Sequence, residues 1–237
     1  MKTIGIVGGI AWPSTIVYYR TINELVARRR GGTGLHCARL VLAQTDFAEI
    51  ERHQREGRWD LVGDLLAEQA NRLKAAGADF FLLACNTVHT ADEHIQRAVD
   101  LPFLHIVDPT GQEALNRGFT TVGLLGSRYT MTGSYFVERL HDRYALNVLI
   151  AEGEHQANVH DALYNELVKG ILSPQTRAKF TAAIGDLVTR GAEAIILGCT
   201  EFGMLVAPED SPAPIIDTTT VHAQAAVDMA LAAAVDN

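Results

Sequence analysis

The sequence predicts an α/β protein built as two similar lobes, each with a mostly parallel sheet covered by helices. Short apolar stretches alternate with amphipathic ones along the 237 residues, which is the pattern of a doubly wound parallel sheet. Two of the apolar stretches, at 80–84 and 194–197, contain no polar residue. Strands that helices cover on both sheet faces have this composition. The segments around these two strands also repeat each other.

The repeat places two cysteines at equivalent positions. The segment AGADFFLLACNT, which contains Cys85, aligns without a gap with RGAEAIILGCTE, which contains Cys199, at a separation of 114 residues. A second pair, IGIVGG at 4–9 and VGLLGS at 122–127, is separated by 118 residues. We therefore expect two Rossmann-like α/β/α lobes related by pseudo-symmetry, with an active site in the cleft between them.

The individual elements follow from these patterns and from local stop signals. Pro13 suits a first helical turn, where its missing N–H costs nothing. Gly77 and Gly191 mark helix ends, and Arg28-Arg29-Arg30 before Gly31-Gly32 is typical of the cationic last turn of a helix. Strands are predicted at 3–8, 37–43, 79–84, 102–106, 120–125, 146–150, 193–198 and 214–216. Helices are predicted at 13–30, 57–76, 88–98, 108–117, 131–143, 155–169, 173–190 and 219–234.

Two arrangements of the halves are open from the sequence. The halves either form two lobes in succession, or one lobe is interrupted by the other. The second arrangement gives residues 1–100 plus 215–237 as lobe 1 and residues 101–214 as lobe 2, because a last helix often packs back on the first lobe.

Composition excludes several classes of function. Hydrophobic residues make up 48% and charged residues 20%, and no apolar run approaches the roughly 20 residues that span a bilayer. The start of the sequence enters a strand pattern without a signal-peptide pattern, so a cytoplasmic location is expected. The net charge of −8 and the lack of a long basic stripe argue against nucleic acid and membrane surfaces as partners.

Neither a metal site nor a disulfide framework is expected. The three cysteines are an odd number, and no CxxC or HxxxH pair has zinc spacing. The glycines of 5–9 lack the complete GxGxxG pattern of a dinucleotide site. They instead predict a tight turn that brings the backbone N–H groups of Gly9 and Ile10 near a small anion.

Cys85 and Cys199 are the candidate catalytic residues. Each follows a central strand, and ligands of parallel α/β sheets bind at the carboxyl ends of the strands. Polar residues follow both of them, Asn-Thr after Cys85 and Thr-Glu after Cys199. Cys37 lacks this context and is interpreted as structural.

Two opposed thiols suit the inversion of a carbon stereocentre. Such a reaction needs a base on one face of the carbon and an acid on the other, and a thiol with an ordinary pKa of about 8.5 can serve in either state. Helix N-termini near the site would favour the thiolate and bind a substrate carboxylate. Two sulfurs on either side of one carbon would be roughly 7 Å apart. A redox pair, the alternative, would place them at bonding distance.

Three sets of residues resemble the signatures of the aspartate/glutamate racemase family. They are Gly8-Gly9-Ile10 with Ser14-Thr15 and Tyr18-Tyr19, then Cys85-Asn86-Thr87-Val88-His89, then Gly198-Cys199-Thr200-Glu201. The resemblance spans nearly the whole chain, and the Glu201 ending is similar to the aspartate-racemase and broad amino-acid-racemase branch.

The resemblance implies racemisation without a cofactor or metal, usually in a homodimer. Cys85 and Cys199 would be the two bases, and Asn86, Thr87 and Thr200 would bind the α-carboxylate or amino group. Glu201 would position or activate Cys199, or else act as a capping carboxylate. The remaining expected substrate contacts are Gly9, Ile10, Gln54 and Ser127, the last of which is equivalent to Gly9 in the repeat.

The substrate class is expected to be aspartate, glutamate or both. Gln54 stands where some relatives have Arg, and Arg52 is a less favoured contact. Lys169 is one position away from a lysine that binds the substrate side chain in some relatives. Trp12 either narrows the mouth of the cleft or packs on its lobe. The alternatives are a hydantoin racemase, maleate isomerase or arylmalonate decarboxylase on the same scaffold, or a non-catalytic protein that binds a small ligand.

Overall fold

The apolar stretches form parallel strands, and the amphipathic stretches form helices around them. The computed structural model describes residues 1–32 and 34–232. Its strands are β1 (Ile4–Gly8), β2 (Leu40–Gln44), β3 (Phe80–Leu83), β4 (Thr121–Gly126), β5 (Asn147–Ile150), β6 (Ala194–Gly198) and β7 (Ile215–Asp217). Its helices are α1 (Trp12–Arg29), α2 (Phe47–Arg55), α3 (Trp59–Ala75), α4 (Asp92–Ala98), α5 (Val107–Asn116), α6 (Arg128–Thr132), α7 (Ser134–Tyr144), α8 (Gly153–Asn165), α9 (Pro174–Thr189), α10 (Phe202–Leu205) and α11 (Thr218–Leu231).

The chain divides into two compact units. Unit 1 comprises residues 1–106 and 222–237, and unit 2 comprises residues 107–221. Residues 233–237, which include the end of the predicted helix 219–234, lie outside the described residues. The limits fall a few residues later than the expected limits at 100 and 214, because Leu104 still bonds to Phe81 beside β3 and because β7 pairs with β6.

Each unit contains a parallel sheet, and the predicted α/β class is confirmed. Unit 1 has the strand order β2-β1-β3, and unit 2 has the order β5-β4-β6-β7. The register also repeats, since Val7 pairs with Leu83 in unit 1 and Leu125 pairs with Leu197 in unit 2. The sequence repeat therefore corresponds to a repeat of strand pairing.

The continuous apolar composition of β3 follows from packing on both faces of the sheet. Successive side chains of a strand point to opposite faces. Phe81 and Leu83 lie in a buried cluster with side chains of α3 and α4, whereas Phe80 and Leu82 lie in a second cluster with side chains of α1 and α11. The layered arrangement leaves the ends of the strands as the place where polar side chains can gather.

The predicted strand at 102–106 is wrong. Phe103 forms an isolated bridge with Phe81, and the chain then turns into α5. Pro102 has no N–H to donate to a neighbouring strand. The N–H of Ile106 donates to the His89 side chain and not to a strand.

Three helices were missed, and two predicted helices are shorter than expected. The missed helices are α2, α6 and α10. The predicted helix at 88–98 begins as a 3-10 turn over Thr87–Ala91, and α8 ends at Asn165 before a second 3-10 turn at Leu167–Lys169. Within the described ranges, no helix has both the length and the apolar character needed to cross a membrane.

Candidate active site

The turn after β1 requires glycine at position 9. Gly9 has a φ of 88°, and a Cβ there would lie 2.3 Å from the carbonyl oxygen of Thr45. The Gly9 N–H donates to Oγ1 of Thr15 over 2.9 Å, which ties the turn to the first part of α1. This N–H is therefore used within the protein. Ile10 has a buried side chain in the core, so its contribution to a site would come from its backbone.

Cys85 begins the turn that follows β3. The N–H of Ala84 still donates to the carbonyl of Val7, and the chain then leaves the sheet. Cys85 is half-buried, while Asn86 and Thr87 are buried at 2% and 7% exposure. Since β1 and β3 are neighbours, the turns that carry Gly9 and Cys85 lie at the same edge of the unit 1 sheet.

Gln54 lies on α2, a helix whose start Asp46 caps by accepting a hydrogen bond from the Ala48 N–H. Its side chain is 3% exposed, yet among the described residues none accepts a hydrogen bond from its Nε2. A buried amide without such a partner is uncommon and costs stability. Arg52, by contrast, is exposed on the same helix.

Cys199 follows β6 and lies beside a buried carboxylate. Its Sγ donates to Oε2 of Glu201 over 2.9 Å, and the Thr200 hydroxyl donates to the same oxygen over 2.9 Å. Cys199, Thr200 and Glu201 are 8%, 4% and 3% exposed. The Glu201 side chain makes no capping hydrogen bond to α10.

Ser127 begins α6 directly after β4. Its hydroxyl accepts from the Thr130 N–H over 3.2 Å and lies 3.2 Å from the Thr130 hydroxyl, which contacts Tyr135 Oη at 2.9 Å. The side chain is fully buried. Because Gly126 pairs with Gly198, Ser127 and Cys199 leave the unit 2 sheet side by side.

Three further residues named from the sequence, Cys37, Lys169 and Trp12, are exposed. Cys37 is exposed, in the loop before β2, so the interpretation as a buried structural cysteine is wrong. Lys169 is exposed in the 3-10 turn after α8. Trp12 is 61% exposed and lines a groove of about 310 Å³ beside α1 and β2. The other lining residues are Thr15, Ile16, Tyr19, Leu42 and Gln44.

Two helices that carry candidate site residues, α2 and α6, have N-terminal signals in the sequence. The Asp46-to-Glu49 spacing is that of a capping box and would have predicted the start of α2. Ser127 three residues before Thr130 has the spacing of a helix N-cap and would have predicted α6. In residues 1–32 and 34–232, no group of three or more His, Cys, Asp or Glu side chains could hold a metal ion.

Fold and site together define an α/β protein with a cysteine just after the carboxyl end of an equivalent strand, β3 or β6, in each of two units. The model of the Asp/Glu/Hydantoin racemase family matches residues 7–226, and the chain belongs to this family.

Individual relatives agree with this family assignment. The chain is 27% identical over 180 residues to the broad specificity amino-acid racemase RacX of Bacillus subtilis (strain 168), covering 73% of this chain and 74% of the relative. A crystal structure of a candidate Asp/Glu racemase from Yersinia pestis is 40% identical, with a TM-score of 0.90 over 98% of this chain and 100% of that one. An aspartate racemase homologue from Pyrococcus horikoshii OT3 is 28% identical, with a TM-score of 0.80 over 97% and 99% of the two chains.

Proposed function

We propose that this protein racemises an amino acid without a cofactor, with aspartate, glutamate or both as substrates, and that Cys85 and Cys199 are its two bases. The observation that carries the proposal is the repeated placement of a cysteine at the end of β3 and of β6, in the same strand register. Family membership supports the reaction class.

The two thiols would exchange roles in each turnover. One cysteine as thiolate takes the α-proton and becomes a thiol, while the electron pair of the broken C–H bond remains on the substrate. The opposite thiol then gives its proton to the other face of the α-carbon and becomes a thiolate. The reverse reaction uses the same two groups in the opposite order, so the site serves both enantiomers.

Glu201 would prepare Cys199 for this role. Its carboxylate accepts the Sγ–H hydrogen bond over 2.9 Å, which is the geometry needed to receive the thiol proton. The second hydrogen bond to the same oxygen, from Thr200, holds the carboxylate in place. Cys85 has no carboxylate at the equivalent position, since Thr87 stands where Glu201 does in the repeat. The two cysteines therefore differ in whether a carboxylate is placed to accept the thiol proton.

Substrate binding would use polar groups in the two turns. Asn86, Thr87 and Thr200 offer amide and hydroxyl groups for the α-carboxylate or the amino group, and these bonds strengthen as charge develops in the transition state. Gln54 would donate its Nε2–H to the side-chain carboxylate, which accounts for a buried amide donor that the described residues leave unsatisfied.

The substrate range is tested by a panel of L- and D-amino acids followed by circular dichroism. We expect loss of optical activity with aspartate or glutamate in the wild-type protein and in Cys37→Ser, which changes the exposed cysteine. Cys85→Ala and Cys199→Ala should each abolish racemisation. Full activity in a double Cys85/Cys199 variant would rule out the mechanism.

Hydantoin racemisation is the second candidate, because the description of the matching family includes it. Hydantoins carry no free α-carboxylate, so they would not use a carboxylate-binding set of Asn86, Thr87 and Thr200. A protein that racemises 5-substituted hydantoins and leaves every amino acid of the panel unchanged would replace the leading proposal with this one.

A homodimer, which the family resemblance implies, belongs to the same proposal. Sedimentation of the purified protein should give a species of twice the mass of one chain. A monomer at all concentrations used in the activity assay would remove this part of the proposal without affecting the two-base mechanism.

A further inference from the structure

A buried histidine cluster lies behind the turn that carries Cys85. His89, His105 and His222 are 0%, 2% and 0% exposed, and the His89 ring centroid lies 4.6 Å from that of His105 and 6.2 Å from that of His222. All three residues belong to unit 1. The two-base mechanism uses none of them.

The hydrogen bonds of His89 assign its tautomer. Nδ1 lies 2.9 Å from the carbonyl oxygen of Cys85 and 3.1 Å from that of Asn86, and both oxygens can only accept, so Nδ1 carries the proton. Nε2 accepts from the backbone N–H of Ile106 over 3.3 Å, so Nε2 carries none. The ring is therefore neutral. A second proton, on Nε2, would place an N–H donor against the N–H of Ile106.

The Nδ1–H of His89 donates a hydrogen bond to backbone carbonyls just beyond the end of β3, where strand pairing has stopped. The pairing of β3 with β1 ends at Leu83, and the Asn86 carbonyl already receives the His89 backbone N–H over 3.1 Å. The His89 side chain adds a donor to this carbonyl and to the Cys85 carbonyl one residue earlier. These bonds hold the peptide plane that follows Cys85, and with it the direction of the Cα–Cβ bond that carries the sulfur.

Backbone of the segment that leads out of unit 1 holds the Nε2 side of the His89 ring. Ile106 is the last residue of unit 1 before the chain enters unit 2, and Leu104, two residues earlier, bonds to Phe81 of β3. His222, the first residue after the chain returns, donates from Nε2 to the Leu104 carbonyl, and the Tyr18 hydroxyl contacts its Nδ1 at 2.8 Å. Asp92, 3.6 Å from Nε2 of His105, is the carboxylate of this cluster.

We propose that His89 is the positioning residue of Cys85, holding its carbonyl through Nδ1–H while the segment that leads out of unit 1 holds the ring through Nε2. The proposal rests on the proposed function in so far as Cys85 is one of its bases. The Nδ1–H also offsets the negative end of a carbonyl dipole in the same residue as the thiolate, so its loss should make the thiolate less favourable.

Substitution of His89 by asparagine or by glutamine distinguishes the role of Nδ1 from that of Nε2. The Asn side chain places an amide N–H near the position of Nδ1, whereas the Gln side chain places its amide near the position of Nε2. His89→Asn therefore keeps the donor to the Cys85 carbonyl, and His89→Gln keeps the acceptor for Ile106. Tyr18→Phe is the matched control, because it removes one buried hydrogen bond from the same cluster without touching the Cys85 turn.

The readout is the alkylation rate of Cys85 by iodoacetamide near neutral pH, in a protein with Cys37→Ser and Cys199→Ser. We expect His89→Gln to slow alkylation by at least about threefold, and His89→Asn and Tyr18→Phe to leave it within about twofold of the parent. Equal rates in the Asn and Gln variants, or an equal loss in Tyr18→Phe, would overturn the proposal. Alkylation needs no substrate, so the comparison stands even if the wild-type protein racemises nothing and the proposed function fails.

With both catalytic cysteines present, His89→Gln should lower kcat by up to about a hundredfold with a small change in KM, and His89→Asn should restore most of the loss. If His89→Gln does not fold, histidine ¹⁵N chemical shifts of the wild-type protein decide the point. A neutral His89 with the proton on Nδ1 supports the proposal, and a neutral ring with the proton on Nε2, or a protonated ring, overturns it.

Discussion

At the scale of single residues, the proposed role of the Glu201 carboxylate is to accept the proton of the Cys199 thiol. One oxygen, Oε2, accepts from both the Cys199 sulfur and the Thr200 hydroxyl. Glu201→Gln keeps the shape but replaces a proton acceptor with a neutral amide. We expect kcat to fall by about a hundredfold, the usual contribution of a general base, with KM nearly unchanged. An unchanged kcat in steady-state kinetics would show that the Glu201 carboxylate does not activate Cys199.

Substitution of Gln54 should weaken substrate binding without lowering the stability of the fold. Its Nε2 has no acceptor among the described residues, so the apolar near-isostere in Gln54→Met should leave the free energy of unfolding unchanged or slightly higher. If Gln54 donates to the substrate carboxylate as proposed, the same change should raise KM for the amino acid by about tenfold, because that donor is lost.

Gln69→Met is the control for this prediction. Gln69 is also buried, but its Oε1 accepts from Arg72, so its replacement should cost about 1 kcal/mol of stability and leave KM unchanged. A large loss of stability in Gln54→Met with an unchanged KM would show that Gln54 supports the fold and not the substrate.

At the scale of elements, a Gly-to-Ala substitution should have opposite effects on stability in the turn between β1 and α1 and in the middle of α9. Gly9→Ala places a Cβ against the Thr45 carbonyl at a φ of 88°, so we expect a loss of about 1–3 kcal/mol. Gly185→Ala lies within α9, where a Cβ meets nothing within 4 Å, and it should gain about 0.5–1 kcal/mol. Denaturant midpoints measure both, and a stable Gly9→Ala protein would contradict the described turn.

The contact between α8 and the start of α6 predicts a dependence of stability on pH. Nδ1 of His160 accepts from the Arg128 N–H, and burial, followed by the charge of Arg128, lowers the pKa of His160 below the ordinary value of 6.5. Below pH 6.5 the unfolded chain therefore binds a proton that the folded protein resists. Stability is full above this pH and is lost as the pH falls through the folded pKa.

His160→Asn keeps an acceptor for the Arg128 N–H but cannot be protonated in this range. We expect urea unfolding between pH 7.5 and pH 5 to show a smaller loss of stability in this variant than in the wild-type protein. His36→Gln, a change of an exposed histidine in the loop before β2, should lose as much stability as the wild type. Parallel pH curves for all three proteins would contradict this account of the α6–α8 contact.

At the scale of the whole molecule, periodicity and stop signals predicted the sheets better than the connections between elements. The apolar runs at β3 and β6 were sufficient because both faces of these strands are covered. The run at 102–106 is mostly apolar but contains Pro102 and His105, and whether it pairs along its length depends on contacts with Phe81 and His89. No local pattern shows these contacts.

The candidate site was predictable in kind but not in detail. Cys85, Cys199 and their polar neighbours could be found because each follows an apolar strand directly. The Cys199–Glu201 hydrogen bond and the bonds of His89 to the Cys85 and Asn86 carbonyls depend on the backbone path after the strands. Sequence spacing alone does not determine that path.

The central claim is that two thiols act on opposite faces of one α-carbon. The most direct test is racemisation of a single enantiomer of aspartate or glutamate in D₂O, with deuterium at Cα measured separately in the product and in the recovered substrate early in the reaction. The thiol that delivers the hydrogen exchanges with solvent, so we expect deuterium in the product enantiomer before it appears in the remaining substrate. Product that retains the original α-hydrogen would contradict a two-base mechanism with Cys85 and Cys199.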